Sequence, residues 1–76
     1  MKHIIIYSTS HCPYCQLAKE FLTKKGVAFE EKNVETDLNS RNELIQKSGQ
    51  LAVPVIEIDG KFIIGFSADE IEKALD

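Results

Sequence analysis

The run IIIYSTSHCPYCQLAKEFLTKKG, residues 4–26, decides how this chain begins to fold, and it holds both cysteines, Cys12 and Cys15. Its first part, Ile4 to Tyr7, is a short unbroken apolar stretch, the pattern of a strand buried on both faces. From Pro13 the spacing turns helical. Cys15, Leu17, Ala18, Phe21 and Leu22 are expected to share one broad face. Proline suits the first turn of a helix, where its missing N–H is not needed. At the far end Lys24 and Lys25 sit against the negative end of the helix dipole, and Gly26 can take the left-handed position that stops it.

Downstream the elements keep alternating. Val27-Ala28-Phe29 is expected to open a strand that runs into EEKNVE with one solvated face. A second helix carries Leu38, Leu44 and Ile45 and stops at Gly49. Two starts compete for it: a Ser40/Glu43 capping box, or Asp37 as the cap, which brings Leu38 into the helix and is preferred. Val55 to Ile58 and Lys61 to Ile64 form a hairpin across Asp59-Gly60, a two-residue turn suited to that job. Gly65 breaks the last strand. Ser67 with Glu70 makes a capping box for a short final helix with Ile71 and Leu75 facing inward. The order is β-α-β-α-β-β-α. A strand–helix–strand start implies a right-handed crossover and a parallel pair, and the hairpin adds antiparallel strands. The expected fold is α/β, a four-stranded mixed sheet with helices on both faces.

Composition sets the bounds. With 76 residues, 43% of them hydrophobic, the chain has room for one domain and a modest core. Two cysteines closing a two-residue gap staple nothing. The formal net charge is −3 and no basic run occurs, which argues against nucleic acid as a partner. The N-terminal apolar run is too short for a signal peptide or a membrane span. A cytoplasmic monomer is expected, and in that compartment an isolated cysteine pair is catalytic or metal-binding more often than structural.

The position of the thiols explains their chemistry. Cys12 falls at or beside the helix N-terminus, where unsatisfied N–H groups and the positive dipole end favour a thiolate. Its pKa should fall from the free value of about 8.5 toward neutrality or below. The thiolate is the attacking species in disulfide exchange, so Cys12 is the expected exposed nucleophile. Cys15, one turn on, should be more buried and act second, resolving a mixed disulfide formed at Cys12. The same spacing suits half of a tetrahedral zinc site, but only His3 and His11 remain to complete the four ligands. An iron–sulfur cluster shared between two chains would also use such a pair, and two unrelated buried cysteines could fall at this spacing by chance. His11 abuts Cys12, either as an electrostatic neighbour or as a solvent-facing loop residue.

LAVPV, residues 51–55, is the second constellation. A cis Val53–Pro54 bond would turn the chain and leave the Val53 backbone free to grip an extended substrate as a short added strand. The residues alone leave cis and trans open.

CPYC after a first strand, Val53-Pro54 before a later one, and a glycine-led turn into a capped last helix resemble the glutaredoxin family of the thioredoxin fold, over nearly the whole chain. The resemblance implies a glutathione-dependent thiol–disulfide oxidoreductase with Cys12 as nucleophile and Cys15 as resolving thiol. It implies a cis Pro54 facing the cysteine pair. It also implies a glutathione groove lined by Tyr14, Val53, Pro54, Gly65, Phe66 and Ser67, with Asp69 or the N–H groups of the last helix holding the γ-glutamyl end. Glutathione would be a co-substrate and no cofactor or metal would be bound; disulfide-containing or glutathionylated proteins would be the partners. The chain departs from the family in having Thr9 where a lysine is usual, Ala52 where threonine is common, and Gly65-Phe66 in place of two glycines. GFSADE is closer to redoxins that take electrons from thioredoxin reductase and serve ribonucleotide reductase, which makes thioredoxin reductase the alternative donor. An iron–sulfur or metal carrier is the third reading.

Overall fold

The computed structural model describes residues 3–75. In chain order it contains β1 (Ile4–Ser8), α1 (Pro13–Lys24), β2 (Glu30–Asn33), α2 (Leu38–Ser48), β3 (Val55–Ile58), β4 (Lys61–Ile64) and α3 (Ala68–Leu75). The strands form one mixed sheet in the order β2-β1-β3-β4. β1 runs parallel to β2 and antiparallel to β3, and β4 completes the hairpin. This is the four-stranded mixed sheet that the element order implied, in the thioredoxin-like arrangement that the family resemblance implied.

Alternation along β1 divides the core in two. Ile4 and Ile6 point to one face and pack with Ala18 and Leu22 of α1, Ile56 and Ile58 of β3, and Ile71 of α3. Ile5 and Tyr7 point to the other and pack with Leu44 of α2, Val34 and Val55. Both faces are therefore covered by helices, and all five residues of β1 are buried. The Asp59-Gly60 turn has positive φ at both positions (49° and 87°), the backbone that lets a two-residue loop follow the strand twist.

Asp37 is the cap of α2. Its carboxylate accepts the Asn39 N–H at 3.1 Å and the Ser40 hydroxyl at 2.8 Å. Glu43, free of any capping role, pairs with Lys32 at 2.7 Å and Lys47 at 3.3 Å. Several expectations need correction. Val27 to Phe29 is not a strand: β2 begins at Glu30, opposite Ile5. Val27 and Phe29 pack instead against the α1/α3 core. Leu17 faces outward, off the shared face expected of it; on α2, Leu38 and Ile45 are exposed too. On α1 the buried positions are Cys15, Ala18 and Leu22, and on α2 Ser40 and Leu44, so the true inner stripes are narrower than apolar content suggests. Lys25 does more than meet a dipole: it pairs with Glu72 of α3 at 2.6 Å.

At the end of the sheet nearest the cysteines, Glu31 of β2 accepts from Lys19 Nζ of α1 at 2.9 Å and from the buried Ser8 hydroxyl at 2.7 Å. These bonds, the lysine's first, hold its carboxyl below the ordinary value of 4.5. A depressed folded-state pKa stabilises the fold above the unfolded value, and the stabilisation drains away as pH falls through the folded one. Glu31→Gln should therefore melt below wild type near neutral pH, by less than about 1 kcal/mol because the pair is partly exposed. The gap should close as melts are repeated down to about pH 3. A gap independent of pH would dismiss the ionic contribution.

Candidate active site

Cys12 is the N-cap of α1, with extended backbone (φ −124°, ψ 104°), and Pro13 follows in the first turn. The Cys15 N–H donates to Cys12 Sγ at 3.1 Å, and the Gln16 N–H donates to the Cys12 carbonyl at 3.1 Å. Sulfur thus stands where a serine or aspartate oxygen usually caps a helix, so an otherwise unsatisfied amide already points at it. The first turn of α1 carries no acidic side chain to oppose a negative sulfur. Cys12 is half-buried rather than fully exposed, and Cys15 is only 1% exposed. The two form a disulfide with their Cα atoms 5.1 Å apart. Helix geometry produces this pairing directly, since residues i and i+3 lie on one face.

The expected asymmetry follows. The sulfur at the cap has an amide donor and sits at a half-buried residue, while Cys15 lies one turn on in the core. Alkylation of reduced protein should therefore reach half its maximal rate at Cys12 at least about one pH unit below the free-thiol value near 8.5, with Cys15 unreactive over the same range. Titration of Cys12 like free cysteine would remove the proposed reactivity.

Other elements end at the same place. The register of β1 with β3 pairs Tyr7 with Val55, which brings Pro54 level with the last residue of β1 and the loop leading to Cys12. The Val53–Pro54 bond is cis. Pro54 is buried, and its carbonyl accepts the Gly65 N–H at 2.8 Å, tying the turn after β4 to the strand beside the cysteine loop. Among the described residues the N–H and C=O of Val53 have no hydrogen-bond partner. Gly65 has φ 82°, a left-handed turn that leads through Phe66 to α3. Ser67 caps that helix by half of the expected box: its hydroxyl accepts the Glu70 N–H at 3.4 Å, and its carbonyl accepts from Ile71.

The expected groove residues divide. Val53, Pro54 and Gly65 meet at one end of the sheet through the Pro54–Gly65 bond, and Ser67 follows two residues on, at the N-terminus of α3. Tyr14 is 63% exposed on the outward side of the first helical turn. Asp69 is exposed in the first turn of α3. Phe66 turns its ring inward, edge-on to Phe21 with centroids 5.8 Å apart, so its side chain serves the core. Sequence reasoning missed Arg41 and Leu51. They line a shallow pocket of about 320 Å³ with Thr9, Val34, Glu35 and Val53. Arg41 is the only arginine in the chain, and among the described residues it makes no ion pair. Its uniqueness was the available signal. Among the described residues no three potential metal ligands converge, and no helix is long and apolar enough to cross a membrane.

The chain matches the family model for glutaredoxin over residues 4–63. It is 45% identical over 73 residues to an uncharacterized glutaredoxin-like 8.6 kDa protein in the rubredoxin operon of Clostridium pasteurianum, covering 96% of this chain and 97% of that one. It is 42% identical to glutaredoxin 3 of Escherichia coli K12, covering 86% of this chain and 78% of the relative. Among solved structures, a single-residue mutant of the thioredoxin-like protein BC3987 superposes with a TM-score of 0.92 at 36% identity, covering 99% of this chain and 96% of that one.

Proposed function

The chain belongs to the glutaredoxin family and is a thiol–disulfide oxidoreductase, and from that premise we propose that it acts in the cytoplasm on protein disulfides and glutathione mixed disulfides, with glutathione as reductant. The observation that carries this reading is the Cys12–Cys15 pair at the mouth of α1, at the end of the sheet where the Val53 backbone is unpaired.

The Cys12 thiolate attacks one sulfur of the substrate disulfide. A mixed disulfide forms, and the departing thiolate takes a proton from solvent. Cys15 then loses its proton and attacks Cys12 Sγ, expelling the second substrate sulfur. Two electrons have passed to the substrate, and Cys12 and Cys15 are joined. One glutathione thiolate reopens that bond at Cys12, and a second removes the first as glutathione disulfide. No bound cofactor or metal takes part.

The groove supplies recognition. The Val53 N–H and C=O pair with the peptide backbone of glutathione as a short strand would. Pro54 and the exposed Tyr14 flank the sulfurs. At the γ-glutamyl end, Asp69 takes the ammonium while the Ser67-capped N-terminus of α3 takes the carboxylate, a favourable site for an anion. Gly65 and the Phe66 backbone form the turn between the two regions. Arg41, over the pocket by Thr9, supplies the cation for the glycyl carboxylate that a lysine at position 9 would otherwise provide.

A second reading, reduction by thioredoxin reductase in a redoxin serving ribonucleotide reductase, is favoured by Phe66 in place of a second glycine. One assay separates the two. With NADPH and a disulfide substrate, turnover is expected with glutathione plus glutathione reductase and should stay near background with thioredoxin reductase alone. The reverse pattern would replace the glutathione reading by the second.

A further inference from the structure

Asn33 closes β2 and plays no part in the site as described above. Its Nδ2 donates to Ser10 Oγ at 3.1 Å. Its Oδ1 accepts the N–H of Glu35 at 2.8 Å and of Thr36 at 3.2 Å, and its carbonyl accepts the N–H of Asp37, the cap of α2, at 3.1 Å. One residue therefore holds the loop before Cys12 on one side and the loop entering α2 on the other. Those loops supply facing parts of the pocket: Thr9 from the first, Val34 and Glu35 from the second. The strand ladder cannot do this. Its last pair is Ser8 with Asn33, and the final backbone bond runs from the Val34 N–H to the Ser8 carbonyl at 2.9 Å. Among the described residues, the amide of Asn33 is the only hydrogen-bonding group that ties residues 9–11 to the β2–α2 side.

We infer that Asn33 is a positioning residue that sets the width of this pocket, and with it the fit of a glutathionyl group. The inference rests on the glutathione reading above. Cys12 is held separately, by α1, through the Gln16 and Cys15 amides. Loss of the brace should accordingly weaken binding without altering the nucleophile. Weaker binding common to ground and transition states raises KM and leaves kcat unchanged.

The test measures reduction of a glutathionylated peptide with glutathione, glutathione reductase and NADPH, alongside the pH profile of Cys12 alkylation. Asn33→Ala and Ser10→Ala should each raise KM about three- to tenfold, the range of one or two lost hydrogen bonds, with kcat and the alkylation profile unchanged. Ser10→Ala cuts only the cross-link, so it answers the question even if Asn33→Ala fails to fold. Asn33→Asp should stay within about twofold of wild type, because a carboxylate still accepts both amides and can accept the Ser10 hydroxyl. Unchanged KM in the first two variants, no rescue by aspartate, or a displaced alkylation profile would each overturn the inference. A wild-type protein reduced only by thioredoxin reductase would remove the glutathione reading, and this inference with it; a flat KM series in a glutathione-active protein removes the inference alone.

Discussion

Cys12→Ser should abolish disulfide exchange, a loss on the order of a thousandfold or more, because a hydroxyl cannot replace the attacking sulfur. Cys15→Ser should behave differently. Cys15 is buried and joined to Cys12, and in the proposed mechanism it enters only at the resolving step. Without it the first attack still occurs, and a protein substrate remains attached to Cys12 as a mixed disulfide visible by mass spectrometry under non-reducing conditions. Glutathionylated substrates should still turn over, because external glutathione can resolve the intermediate. The contrast comes from geometry: the cap position receives an amide and opens to solvent, whereas the position one turn later faces the sheet. Equal loss from the two substitutions would contradict the division of roles, and a trapped adduct on Cys15 would reverse it.

Ile56→Ala should cost about 3 to 4 kcal/mol, measured by urea unfolding. Ile56 is wholly buried in β3, opposite Ile6 on one side and Ile63 on the other, under α1 and α3. Strand ladders on both sides prevent the backbone from collapsing into the cavity, which puts the cost in the upper part of the range for such truncations. A domain of this length has a total stability of about 4 to 11 kcal/mol, so the variant should be partly unfolded at physiological temperature. Leu38→Ala, equally apolar in sequence but 66% exposed, should change stability by less than about 0.5 kcal/mol. If the two cost the same, the assignment of the core is wrong. Because Ile56 lies two residues beyond Pro54, loosening the strand there should also reduce exchange activity.

Much of this site is local chemistry and could be read from residues in order. A proline between two cysteines, placed after an apolar run and before helical spacing, marks both the helix N-terminus and the redox pair. Asp37 as a cap, Asp59-Gly60 as a hairpin turn and Ser67 as a cap each act within a few residues, so each was legible. The cis Val53–Pro54 bond was not; the residues alone left its isomer undecided, and family resemblance supplied the expectation. Apolar identity also misled at Leu17, because periodicity locates an apolar stripe but not how much of it a sheet can cover.

By itself, then, the sequence determined the order of elements, the capping groups and the identity of the reactive pair, because these depend on neighbours along the chain. Tertiary structure alone decided that Arg41 and Leu51 meet Thr9, that Phe66 turns toward Phe21, and that Asn33 bridges two loops. Thr9 with Arg41 and Leu51, Phe66 with Phe21, and Asn33 with Ser10 are each separated by more than twenty positions, and parallel pairing of β1 with β2 brings two of the loops together. Nothing local in a single asparagine or arginine records which loop will lie across from it.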